Sequence, residues 1–420
     1  MPDPLPMFLV KQAFSRPVVA DVPAAVSAQL ATLELGRRVK RGQRVGVAVG
    51  SRGIRNLVPV LRATVEHLRR LGAEPCLLAA MGSHGGGTES GQAEVLASLG
   101  VTEAAVGAPV RTCAEAVQVG VTPGGVPVHT LRAAREVDAI LLVNRVKAHT
   151  SFRGHVESGL VKQLVVGLGG PRGAQQFHGF GPGELSRLLL ELSEVLLGAL
   201  PVVGGLALVE SAYEETAAVR ALPARGMADA EAELLAWSKS LSPALPAQEI
   251  DLLLVEEMGK NFSGTGIDTN VVGRARIQGV LEPTRPAIKR IGVLDLSEES
   301  HGNATGVGLA DLVTQRLVDR IDREKTYLNC LTSTFVLRAA IPMWFDTERA
   351  LFEAALYSLS GVEPAALRVV LIPNTLFLEE SYVSAPIARE LAGRGVEVDP
   401  APQPLAFDAS GRLTLRLGRR

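Results

Sequence analysis

Residues 139–178 read AILLVNRVKAHTSFRGHVESGLVKQLVVGLGGPRGAQQFH. The first five are apolar and predict a buried β-strand. The segment behind them gathers His149, His155, His178 and Lys162, which is three of the seven histidines and one of the eight lysines in the chain. Open α/β sheets hold their ligands just past the carboxyl ends of such strands. The stretch therefore predicts an α/β fold with its chemistry at a strand end.

The same rhythm continues outward. Upstream, VGVAVG (45–50) reads as a strand ending at Ser51-Arg52-Gly53, with a helical pattern over about 55–71. CLLAAM (76–81) is a second strand and runs into Gly82-Ser83-His84-Gly85-Gly86-Gly87, where Thr88 can cap the helix that follows. Strand, helix, strand, helix is the βαβ pattern of a parallel sheet. Residues 1–43 carry no assignment beyond a lead-in. Downstream, a Leu-rich helix starts at 184 and VGGLALVE starts a strand at 203. KSLSPALPAQ (239–248) has two prolines and little periodicity, and reads as a linker. Behind it, IDLLLVEEMGKNF (250–262) echoes VDAILLVNRVKAH (137–149), as two related lobes or two ordinary buried strands would. IGVLDLSEES (291–300), a helix from Ala310, VVLIPNT (369–375) and a turn at Asp408-Ala409-Ser410-Gly411 complete the pattern. The expectation is two α/β lobes with a catalytic cleft between them. The first is a catalytic domain over 1–243 and the second covers 249–420, its last segment able to pack back on the first.

Composition narrows the class. The 420 residues exceed one ordinary core, and 47% are hydrophobic. The formal net charge is −1, so nothing calls for nucleic acid or a membrane surface. Cys76, Cys113 and Cys330 form no CxxC pair, which fits a reducing compartment rather than a disulfide scaffold. No signal peptide and no membrane-length apolar run is visible, so a soluble cytoplasmic protein is expected.

Several residues are candidates for chemistry. His84 lies in a glycine-rich loop whose N–H groups suit an anion, though a tight turn with an exposed histidine reads equally well. His149 follows a strand end, as a catalytic or a plain loop histidine would. His155 lacks ligand spacing to His149 and is set aside. Lys162 has apolar neighbours on both sides: desolvation would make its amine nucleophilic, unless the side chain snorkels to water. His178 alone is a metal ligand or nothing. GLGGPRG (167–173) fails the dinucleotide fingerprint because Arg172 stands where the third glycine belongs. Lys260-Asn261 and the polar loop over 264–270 could bind a carboxylate, or form a surface loop.

Together these residues resemble the nickel-pincer lactate racemase family, over most of the chain and most strongly over 45–180. Gly82-Ser83-His84 is similar to that family's Gly-x-His turn, and His149 to its second histidine. Lys162 matches the lysine that carries a covalently tethered nucleotide. His178, sixteen residues further, matches the histidine that ligates nickel. The departures are also specific. Val49-Gly50-Ser51-Arg52 keeps the arginine of an Asp-x-Thr-Arg element and loses its acid. Gly85 replaces a basic residue, and Val161 an arginine.

The resemblance implies a racemase or epimerase of 2-hydroxy acids, an isomerase. Its cofactors would be nickel and a nickel-pincer nucleotide, a pyridinium-3,5-bisthiocarboxylic acid mononucleotide derivative, delivered by cofactor-assembly proteins. His84 and His149 would be the bases, one for each face of the substrate. Lys162 would be the covalent anchor and His178 the metal ligand. Arg52, with Lys260, would hold the substrate carboxylate. A sugar-acid epimerase or dehydratase on the same scaffold, or a ligand-binding homologue without catalysis, are the alternatives.

Overall fold

The structure is a computed structural model and describes residues 5–418. It is a mixed α/β protein whose chain divides into two units, Ser15–Ser242 and the residues up to Phe14 together with those from Pro243.

The first of these units is built on a six-stranded sheet in the order Val110–Arg111, Glu74–Ala79, Arg44–Val49, Ala139–Arg145, Val202–Glu210, Thr216–Pro223. All neighbours are parallel except the last pair. The unbroken apolar run at 139–143 has a physical reason. Leu141 and Val143 face one hydrophobic core, Ile140 and Leu142 face the other, and none is exposed. Helices Val22–Thr32 and Leu57–Arg70 feed the first core, and Pro182–Ala199 and Met227–Ser240 the second. The last of these runs into the segment read as a linker.

The other unit carries strands in the order Met343–Phe345, Leu312–Thr314, Ala287–Val293, Glu249–Val255, Val369–Ile372, Glu380–Ser384, Leu5–Lys11, Glu397–Val398. The first five run parallel and the rest antiparallel. Two expectations need amendment here. The start of the chain does not belong with 15–242: Leu5–Lys11 pairs with Glu380–Ser384 and buries Met7 and Val10 in the cores of this unit. The helix expected from Ala310 is instead the strand Leu312–Thr314, because Leu312 and Val313 fill a buried parallel position; Thr314 then caps a short helix, Gln315–Asp319. The last segment stays in this unit, with Leu405, Leu413 and Leu415 buried beside Leu252 and Leu254.

Among the described residues no helix is long and apolar enough to cross a membrane. Leu142 is wholly buried at the centre of its sheet. Leu142→Ala should therefore lower stability by about 2–5 kcal/mol, read as an earlier midpoint in urea denaturation.

Candidate functional site

Three parallel neighbours, Glu74–Ala79, Arg44–Val49 and Ala139–Arg145, end side by side. The loops leaving them carry His84, Arg52 and His149. Facing them, the chain turns at Gly159 into one α-helical turn, Leu160–Lys162, which widens into a π-helical turn, Gln163–Gly167. Such widenings are frequent at functional sites. The Gly82 N–H donates to the Gly167 carbonyl (3.1 Å), and Gly82 has φ +60° with the Val166 carbonyl 3.0 Å from where a Cβ would lie. A larger residue would push the His84 loop off the Lys162 helix.

His149 Nε2 and Lys162 Nζ lie 2.8 Å apart. The other ring nitrogen settles the protons. His149 Nδ1 accepts the Ser151 backbone N–H (3.1 Å), so it bears no hydrogen and the neutral ring carries its proton on Nε2. In that tautomer Nε2 donates, and Lys162 Nζ accepts from it when its amine is unprotonated. Burial, and secondarily the Arg52 charge, bring the Lys162 pKa down from 10.5 to about 8.

Arg52 is open to solvent but surrounded deeply enough that desolvation, then the charge of Arg145, lowers its pKa. Arg145 is neutralised by Glu210, whereas no carboxylate among the described residues pairs with Arg52. His84 is exposed, and its Nδ1 meets the Ser51 hydroxyl. His178 is half-buried, and burial, then Lys162, brings its pKa from 6.5 to about 4, so it is a neutral imidazole. Its Nδ1 is buried without a hydrogen-bond partner. A run of rings, His149–Phe152 (4.4 Å), Phe152–Phe177 (6.4 Å) and Phe177–His178 (5.4 Å), puts both histidines on one aromatic wall.

Two fully buried acids hold this loop, and the sequence reading passed over both. Glu157 accepts the His149 backbone N–H (2.8 Å) and pairs with Lys239 (2.7 Å). Glu231 accepts the N–H groups of Leu160 and Val161 at the start of the Lys162 helix. Its carboxyl would lie 2.5 Å from a Cβ on Gly159, whose φ is +151°. Gln163 ties the helix to the sheet through the carbonyls of Ala48 (3.2 Å) and Val143 (2.9 Å). The signal for Glu231 was present: it shares a helical stripe with buried Met227, Leu235 and Ser238, where an acid is out of place. Ser51 was passed over too, although it adjoins Arg52 at a strand end.

The remaining candidates fall outside this group. His155 bonds Asp229 (2.8 Å) on the surface, in keeping with its exclusion. Lys260 belongs to the other unit, where its ammonium donates to the Gly264 carbonyl (2.7 Å) and Asn329 Oδ1 (3.4 Å).

Among the described residues no three His, Cys, Asp or Glu side chains converge as a metal site. A metal here would take fewer than three such side chains from the described residues and its other ligands from a bound molecule. His178 fits that requirement, being neutral, unpartnered at Nδ1 and close enough to Lys162 to feel its charge.

No protein-family model and no curated protein matches the chain. Among solved structures it is similar to the lactate racemase apoprotein from Thermoanaerobacterium thermosaccharolyticum, with a TM-score of 0.56 and 12% identity over 87% of this chain and 94% of that one. At that identity the likeness establishes a shared α/β fold.

Two measurements check the electrostatics. Amine labelling with peptide mapping should show Lys162 reacting with a midpoint near pH 8, well below the surface lysines. Burial raises the Glu231 pKa from 4.5 to about 7. The native state therefore holds this proton longer than the unfolded chain, and stability falls as pH rises from about 4.5 to 7. Glu231→Gln removes the penalty, so its stability relative to the parent should improve by up to about 3 kcal/mol between pH 5 and pH 8 in denaturant titrations.

Proposed function

We propose that the chain is a racemase or epimerase of 2-hydroxy acids that works with a lysine-tethered nickel-pincer nucleotide. The observation that carries this reading is a buried Lys162 amine, its pKa brought down to about 8, beside His149, with an orphaned imidazole nitrogen at His178. An anchoring lysine must be nucleophilic, and the single protein ligand of such a group must be an unprotonated imidazole. The lactate racemase fold supports the reaction class.

When bound, the group would supply the carbon that takes hydride from the substrate and returns it. Lys162 would hold it covalently and His178 would ligate its nickel. Arg52 would pair with the substrate carboxylate, its planar fork suited to two parallel bonds. His84 and His149 would move the hydroxyl proton, one on each face. The Ser51 hydroxyl can donate to His84 Nδ1 or accept from it, so His84 can present Nε2 as base or as acid. His149 is less flexible. With Nδ1 held by Ser151 it offers a proton, and it becomes a base only if that amide turns away. Acylating Lys162 removes the amine acceptor that favours the present tautomer.

Co-expression with a cofactor-making pathway, followed by intact-protein mass spectrometry, tests this. The expected result is an adduct on Lys162 that is absent from Lys162→Ala. No adduct, or one that survives the substitution, overturns the reading. In loaded protein, Arg52→Gln should raise KM for a 2-hydroxy acid by about ten-fold or more, as loss of a charged pair does. Chiral analysis in deuterated water should find the inverted carbon unlabelled; label at that carbon would point to proton abstraction instead.

A further inference from the structure

The place of Lys162 beside His149 also equips it for a reaction of its own. In its amine form Nζ carries a lone pair, and His149 Nε2, 2.8 Å away, can carry the hydrogen that Nδ1 does not. That is the pair of partners a carbonyl group needs, with the hydrogen for its oxygen and the lone pair for its carbon. Beside them Arg52 holds a positive charge that no carboxylate among the described residues pairs with, near enough for Lys162 to feel it. The apolar wall of Phe152 and Phe177 limits water on the far side.

We propose that the chain with an unmodified Lys162 condenses with 2-oxo acids to form an imine at Lys162 Nζ, with Arg52 binding the carboxylate and His149 shuttling the proton. This goes beyond the racemase reading, because a tethered lysine has no amine left to react.

The steps balance within the residues named. The carbonyl displaces the Nε2–H···Nζ bond and bridges its two ends. The Nζ lone pair forms the C–N bond, the C=O π pair moves to oxygen, and the Nε2 proton goes to that oxygen. The new ammonium returns a proton to Nε2, leaving a neutral carbinolamine and the ring as it began. The nitrogen lone pair then expels hydroxyl, which takes the Nε2 proton and leaves as water. The iminium N–H gives a proton back to Nε2, and a C=N bond remains. Amine and ketone give imine and water, with no oxidant, reductant or metal consumed.

The test uses purified full-length chain whose intact mass equals that of its sequence, incubated with pyruvate and reduced with borohydride. The expected result is one reduced pyruvate adduct, mapped to the peptide of Lys162 and absent from Lys162→Ala. Arg52→Gln should cut trapping of pyruvate by about ten-fold or more beyond any change in trapping of acetone, which has no carboxylate and reports only the altered amine. No adduct, an adduct on other lysines, or one that survives Lys162→Ala overturns the proposal. A loss of pyruvate trapping in Arg52→Gln no greater than that of acetone overturns the carboxylate assignment. Should Lys162→Ala fail to fold, peptide mapping of the parent chain decides alone. Failure here leaves the tether reading untouched, since that is tested by a different adduct in co-expressed material.

Discussion

The site depends on one backbone amide. Ser151 N–H fills His149 Nδ1 and thereby leaves the ring's hydrogen on Nε2, against Lys162. Without that bond the ring could take the other tautomer and accept from a lysine ammonium. Lys162 would then be one more cation beside Arg52. With it, the loop's own conformation favours the amine form, in the same direction as burial and the Arg52 charge. Three independent effects thus converge on the protonation state of a single nitrogen.

That amide is in place because the loop around it is tied from beneath. Val146–Gly159 has little apolar packing of its own beyond Val146, Phe152 and Val156, so polar contacts must set its path. Helix Met227–Ser240 supplies most of them. Ser238 donates to the Val146 carbonyl, Lys239 pairs with Glu157, and Glu231 takes the first two N–H groups of the Lys162 helix. Burying two carboxylates is costly, and each is offset differently. Glu157 has a lysine and backbone donors. Glu231 has only backbone donors and one oxygen with no partner, so its proton is the cheaper solution near neutral pH. Stability is given up in order to hold the reactive residues in fixed relation.

Much of this was legible in the sequence, and the limits are physical. Strands at 44–49, 74–79, 139–145 and 249–255 announce themselves because both faces of a parallel sheet are buried and leave apolar runs. Leu312–Thr314 did not, because three residues are too few to show a period. The pairing of Leu5–Lys11 with Glu380–Ser384 spans almost the whole chain, and no local pattern encodes it. At the strand ends, His84, His149, Lys162 and His178 could be singled out as candidates by type and order. Their supports could not. Glu157 and Glu231 act by binding backbone N–H groups, a role any acid in the right place performs and no spacing marks. The proton on Nε2 depends on a loop conformation, which residue identities alone do not specify.

The departures from the racemase pattern have structural reasons, and their sum has a chemical consequence. Val49 is a wholly buried strand end. Gly85 has φ +66°, and a Cβ there would lie 2.4 Å from the Gly91 backbone, so no basic side chain fits in this loop. Val161 is packed in the core with its N–H on Glu231. One acid and two positive charges are therefore lost around Lys162, compared with the pattern the sequence resembles. What remains is Arg52, with no acid before it to share its charge. That charge lowers the pKa of the neighbouring amine. A carboxylate bound by Arg52 would cancel the charge and let the Lys162 pKa rise, so anion binding and amine basicity would be coupled at this site.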